Sequence, residues 1–200
     1  TEFPVLKLDI FRRNKVFTFS NIAALINYSA TAGISFLMSL YLQNVKFMSP
    51  RQAGTVLIAQ PVLMALFSPL AGRISDKIEP RYVSSAGMFL ISACLVMLCF
   101  LTAETALLYI LLNLAVLGIG FALFSSPNSN AIMSSVEKKD YGTASTILAL
   151  MRNTGQMLSM AIVIVILSVF MGTAEINPGN HPELILSVKI AFALFAFLCF

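Results

Sequence analysis

Gly72-Arg73-Ile74-Ser75-Asp76-Lys77-Ile78-Glu79-Pro80-Arg81 sets five charged residues into ten, in a chain of 200 residues that is only 11% charged. An apolar run from about Gln52 to Arg73 precedes this island, and a second from about Tyr82 to Leu101 follows it. Each run has the length of a transmembrane helix, which needs about 20 apolar residues to cross ~30 Å of hydrocarbon. A short charged stretch between two such runs is a turn at a membrane surface. That reading decides the fold, because the rest of the chain repeats it.

Moving outward, four more apolar segments appear. The first covers about Phe17 to Leu42, the fourth about Ala106 to Ser126 and the fifth about Tyr141 to Met171. The sixth begins near Pro182 or Glu183 and reaches Phe200 within an unbroken apolar run. Barrel strands would be shorter and would alternate apolar with polar residues, and these do not. Apolar residues make up 58% of the chain, and its mean hydropathy is +0.87. Soluble domains carry about 25% charged residues, so too few are present here to cover a globular surface. Lipid accepts apolar side chains if backbone groups are satisfied within helices. The expectation is one all-α bundle of six transmembrane helices over residues 1–200. The absence of an initiator Met and the apolar ending make both ends look like cuts.

The net charge of +4 is not a nucleic-acid signal, because the basic residues sit in the gaps between spans. Lys7, Arg12, Arg13 and Lys15 precede the first span; Arg73, Lys77 and Arg81 join the second to the third; Lys138 and Lys139 join the fourth to the fifth. The opposite gaps hold only Lys46 and Arg51, beside Glu104, Glu175, Glu183 and His181. Basic loops stay in the cytoplasm, so the amino-terminal end is expected there, in a cell membrane. Cys94, Cys99 and Cys199 all lie inside spans, which implies no disulfide framework. His181 has no second His or Cys nearby, so no metal site is expected.

Polar residues are concentrated in spans one, two, four and five, whereas three and six are nearly bare apart from Lys189. Polar groups in hydrocarbon must face protein or water. Spans one, two, four and five are therefore expected to face an interior or cavity, and three and six to face lipid. The order polar, polar, apolar occurs twice, which predicts two inverted three-helix repeats, a transporter device.

With the quoted loop, this pattern resembles the major facilitator superfamily. The stretch Gly72 to Arg81 is similar to that family's G-x-x-[AS]-D-[RK]-x-G-x-[RK] signature, with Glu79 in place of the second glycine. Ser49-Pro50, Gln52-Ala53-Gly54 and Ser68-Pro69-Leu70-Ala71-Gly72-Arg73 agree with it. The order and polarity of the spans resemble the carboxy-terminal half of the fold, closest to the fourteen-helix drug/proton antiporter branch. The resemblance implies a secondary transporter working by alternating access, exporting drugs or other amphipathic small molecules in exchange for protons. Its partner would be the amino-terminal half of the same transporter. Gly72, Arg73, Asp76, Lys77 and Arg81 would form a cytoplasmic latch between halves; without the resemblance, a basic loop that only fixes topology is the better explanation.

Arg152 is the sharpest single candidate. Charge within a span is costly and points to function, so Arg152 is a candidate for meeting an anionic substrate group or a carboxylate of the other half. The alternative is an interfacial Arg that snorkels. Gln156, at i+4, shares its face, and Asn153 is adjacent. Asn27, Tyr28, Thr31, Gln60 and Asn113 are further candidates for lining a solute path, although each residue type also serves as a helix–helix hydrogen bonder. Gln60-Pro61 and Ser126-Pro127 are expected kinks.

No span carries Asp or Glu in its middle, so a proton-coupling carboxylate is expected outside this stretch. No cofactor is expected: the chain has no G-x-x-x-x-G-K-[ST] loop for ATP. It also has no H-E-x-x-H and no pair of intramembrane aspartates, which argues against an enzyme. Two other readings stand beside drug export: a nutrient or metabolite symporter or uniporter of the same superfamily, and a non-transporting scaffold or sensor that reuses the fold.

Overall fold

The computed structural model describes residue 11 and residues 14–171 and 181–200. Lys7, Arg12, Arg13 and Glu175 lie outside the described residues, as does the side chain of His181. The helices are α1 (Lys15–Leu40), α2 (Pro50–Leu57), α3 (Ala59–Ser75), α4 (Pro80–Leu98), α5 (Leu107–Ser134), α6 (Tyr141–Met171) and α7 (His181–Cys199). A π-helical turn, Tyr41–Val45, extends α1, and α2 with α3 forms one span. Among the described residues the structure is all-α, with six helices long and apolar enough to cross a membrane, arranged as two three-helix repeats.

Local chemistry sets the helix ends. Asn14 caps α1 by accepting from Phe17 N at 3.0 Å, and its amide donates to the Ser135 carbonyl at the end of α5. Ser49 and Gln52 form a reciprocal capping box at α2, with Pro50 in the first turn, where its missing N–H costs nothing. The second span breaks at Ile58. Pro61 has no N–H for the Leu57 carbonyl, and its ring crowds that group. Pro127 causes no such break: α5 runs through it to Ser134, about two turns past the expected boundary at Ser126. The extra turns are held by burial of Asn128 and Ile132.

Packing follows a swap symmetry. α5 packs along α3 on one side and α4 on the other, while α1 packs along α6. Exchanging the first three spans with the last three maps the α1–α6 pair onto the α5–α3 pair, as two repeats require. α7 lies behind α1, α4 and α6. The tightest crossings use glycine. Gly118 of α5 leaves room only for the Gln60 backbone of α3, and Gly87 of α4 lies against the α5 backbone around Gly120 and Phe124. These approaches rely on a missing Cβ to bring backbones together, as membrane helices commonly do.

One expectation needs correction. The third and sixth spans do not simply face lipid. α4 and α7 bury Ile91, Leu95, Leu98, Val188, Phe192 and Phe195 against the bundle. The least covered spans are the second and fifth: 11% of the most apolar window of the second is buried and 17% of the fifth, against 50% for the first and fourth. Residue polarity marks which helices carry hydrogen-bonding groups. It does not mark which helices are covered, because polar groups of the first and fourth spans, Asn21, Asn27 and Asn113 among them, are buried inside the bundle.

Candidate functional site

The open face formed by α1, α3, α5 and α6 gathers several of the expected residues. Tyr28, Thr31, Gln60 and Gln156 line one shallow recess of about 340 Å³, together with Ala32, Ser35, Phe121 and Met160. Arg152 stands one turn from Gln156 on α6, with its guanidinium carbon 5.0 Å from the centroid of the Tyr28 ring. At this distance a cation is attracted by the ring's negative face. The Arg152 Nε is buried and has no hydrogen-bond partner. Arg152 is eleven residues into α6, roughly 16 Å along its axis. Among the described residues it pairs with no carboxylate.

Gly155 makes this juxtaposition. A Cβ there would lie 2.7 Å from the Leu25 carbonyl oxygen and 2.9 Å from Tyr28 Cβ. The missing side chain lets α6 settle onto α1 and brings Arg152 over the Tyr28 ring. One turn deeper, Gly33 N donates to Ser159 Oγ at 2.8 Å, a second tie between the same helices. Neither Gly155 nor Ser159 stands out in the sequence. The available signal was the spacing of small residues at 155 and 159 on the face that carries Arg152.

Arg152 stands beside the recess without lining it, and three other candidates are not brought to it. Asn27 is fully buried and donates to the Met88 sulfur of α4 at 2.9 Å. Asn113 is buried and donates to the Cys94 carbonyl of α4 at 3.2 Å. Both side chains therefore point between helices, where they bond across the bundle. Asn153 is exposed, next to Arg152 in sequence but on a different face of α6.

The charged loop lies at the opposite end of α3 from the capping box. α3 closes with Ser75 Oγ donating to the Gly72 carbonyl at 2.8 Å, and Asp76 is the C-cap residue. Arg73, Asp76, Lys77 and Arg81 are all exposed, and Asp76 forms no ion pair within the described residues. Arg81 stacks on its neighbour Tyr82, 5.4 Å from the ring centroid. Gly72 sits by Ser126 of α5, so a Cβ there would come within 3.3 Å of the Ser126 hydroxyl. Glu79, where the family signature has glycine, has φ −49 and ψ 123. That backbone conformation is open to any L-residue, so the departure costs no strain. A larger cleft of about 880 Å³ opens at the same end, lined by Lys15, Phe19, Arg81, Phe89 and Phe124 among others. Of the expected site residues it contains only Arg81.

Comparison with known proteins adds the following. The family model described as Major Facilitator Superfamily matches residues 20–200. The riboflavin transporter RibZ of Clostridioides difficile is 33% identical over 152 residues, covering 76% of this chain and 33% of that protein. The uncharacterized transporter YebQ of Escherichia coli is 29% identical over 188 residues, covering 94% of this chain and 40% of that protein. The lincomycin resistance protein LmrB of Listeria monocytogenes is 28% identical over 186 residues, covering 91% and 39%. The chain thus spans roughly a third to two-fifths of the length of these curated relatives.

Proposed function

Because the chain belongs to the Major Facilitator Superfamily, we propose that it forms one six-helix half of a secondary active transporter. The transporter exports drugs or other amphipathic small molecules in exchange for protons, by alternating access around a site near the bilayer midplane. Its other half is the amino-terminal bundle of the same transporter, facing the uncovered sides of α3 and α6. The observation that carries this reading is the meeting of Tyr28, Arg152, Gln60 and Gln156 on that uncovered face. Polar groups at membrane depth belong on a surface that another protein layer or water will cover.

In this reading the recess is one wall of the cargo site, and Tyr28, Thr31, Gln60, Arg152 and Gln156 are its polar lining. Asn27 and Asn113 tie α1 and α5 to α4 outside this lining, and Asn153 is exposed on another face of α6. Gly72, Arg73, Asp76, Lys77 and Arg81 form the cytoplasmic latch, with exposed Asp76 free to pair across the halves. The amino-terminal end and the basic loops face the cytoplasm of a cell whose plasma membrane holds the protein. Relatives named for lincomycin resistance and multidrug resistance support drug-like cargo. The riboflavin transporter among them favours a second reading, transport of a nutrient or metabolite.

Everted membrane vesicles, acidified inside by respiration, test the proposal. Pyrenebutyrate and its uncharged amide are offered in parallel; at least one should accumulate in vesicles that contain the native-length protein and leave when the proton gradient is collapsed. Asp76→Asn should cut the rate at least tenfold with expression unchanged. No gradient-dependent accumulation, or an unchanged rate in Asp76→Asn, would overturn export or the latch respectively.

A further inference from the structure

Among the described residues, Arg152 is the one intramembrane cation beside the recess, over its lining residue Tyr28, and its surroundings leave it incomplete. The Tyr28 ring takes one face of the planar guanidinium. Its N–H donors lie in the plane and are untouched by stacking. One of them, Nε–H, is buried without an acceptor. A desolvated charged donor left unpaired is costly, so a partner is expected whenever the site is filled.

The described residues supply no carboxylate partner. The acidic residues among those described are Asp76, Glu79, Glu104, Glu137, Asp140 and Glu183. All lie in the loops or at the helix ends. The neighbouring recess is lined instead by Gln60 and Gln156, with Phe121 and Met160. Amides and apolar surface suit the body of an amphipathic molecule, and they provide no counter-charge.

We infer that Arg152 selects the cargo, and that the cargo class is an aromatic or otherwise apolar small molecule bearing an anionic oxygen, a carboxylate or a phosphate. This deepens the transport reading and rests on it. The anionic oxygen accepts from the terminal Nη–H groups of the Arg152 guanidinium, beyond the buried Nε. The apolar body lies over Phe121 and Met160, and Gln60 and Gln156 bond its polar rim. A recess of about 340 Å³ is near the small end of ligand sites, ~300–1,000 Å³, so it holds a compact cargo or the charged end of a larger one. A cationic amphiphile meets a like charge here and is disfavoured.

The test measures binding to the native-length protein in detergent, by fluorescence anisotropy, with pyrenebutyrate and its uncharged amide as matched probes. Wild-type protein should bind the carboxylate about tenfold more tightly than the amide, equivalent to about 1.4 kcal/mol. Arg152→Gln should erase that difference by weakening the carboxylate alone, and Arg152→Lys should restore part of it. Equal binding of the two probes by wild type overturns the inference while leaving transport intact. So does an equal loss for both probes in Arg152→Gln, which would mean that Arg152 pairs with a protein carboxylate. Binding of neither probe, in a protein that also fails the vesicle assay, removes the transport reading as well.

Discussion

Gly155→Ala would put a methyl carbon 2.7 Å from the Leu25 carbonyl oxygen, 2.9 Å from Tyr28 Cβ and 3.1 Å from Ser29 N. All three belong to the backbone of α1 or to the first atom of a side chain, so no flexible tip can swing away. An ordinary contact needs roughly 3.5 Å, so α6 must part from α1 by about 0.8 Å at this crossing. Overpacking of this kind costs about 1–3 kcal/mol. Alanine's better helix propensity returns up to about 1 kcal/mol. Gly54 isolates the second effect: it lies in α2, is exposed, and a Cβ there meets nothing within 4 Å. The two alanine variants should therefore differ in stability by about 1–3 kcal/mol. For a chain of this size each kcal/mol shifts Tm by roughly 2–4 °C. Thermal unfolding of the purified variants in one detergent reads the difference directly. If Gly155→Ala is as stable as Gly54→Ala, α1 and α6 are not in the close contact described, and the placement of Arg152 over Tyr28 loses its cause.

Orientation is tested with single cysteines in a background where Cys94, Cys99 and Cys199 are replaced by alanine. A membrane-impermeant maleimide added to intact cells should label Arg51→Cys and reach Lys77→Cys only after the membrane is opened; labelling of Lys77→Cys in intact cells would reverse the topology. Asn113→Ala removes the bond to the Cys94 carbonyl and should destabilise the protein by about 0.5–1.5 kcal/mol. Because Asn113 points toward α4, pyrenebutyrate affinity should stay unchanged in that variant, and a tenfold loss would place it on the cargo path after all.

The six spans were legible because hydropathy over twenty residues integrates a large signal, and the family because Gly72 to Arg81 is a dense local pattern. The site was legible only in part. Arg152 stood out because charge is rare in a span. Its neighbours Tyr28, Gln60 and Gln156 came with it because they are polar on the right helices. Asn27 and Asn113 have the same polarity, and nothing in the sequence says that they turn toward α4. That choice depends on the rotation of each helix about its own axis. The helices have polar groups on several sides, so polarity does not define the rotation. Coverage was misjudged for a related reason. α4 and α7 are apolar all round, so the sequence does not separate the sides that meet other helices from those that meet lipid. Proline was ambiguous too: Pro61 follows a break, whereas Pro127 sits in continuous helix because the turns beyond it are buried.

The partner choice of α1 has a consequence for synthesis. α3 and α4 are both made before α5 arrives to pack on them, but α1 must wait for α6, four spans later. Until then its polar residues face lipid or the translocation machinery without their neighbours. α1 carries its own remedy. Asn21 donates to the Phe17 carbonyl at 2.9 Å, Ser29 to Leu25 at 2.8 Å and Thr31 to Asn27 at 2.6 Å. Each bond lies within the helix, four residues back, and can form before any partner exists. A span that is polar by composition can thus enter the bilayer early with many of its donors occupied. It then keeps its remaining groups, the Tyr28 ring among them, for the helix that arrives four spans later.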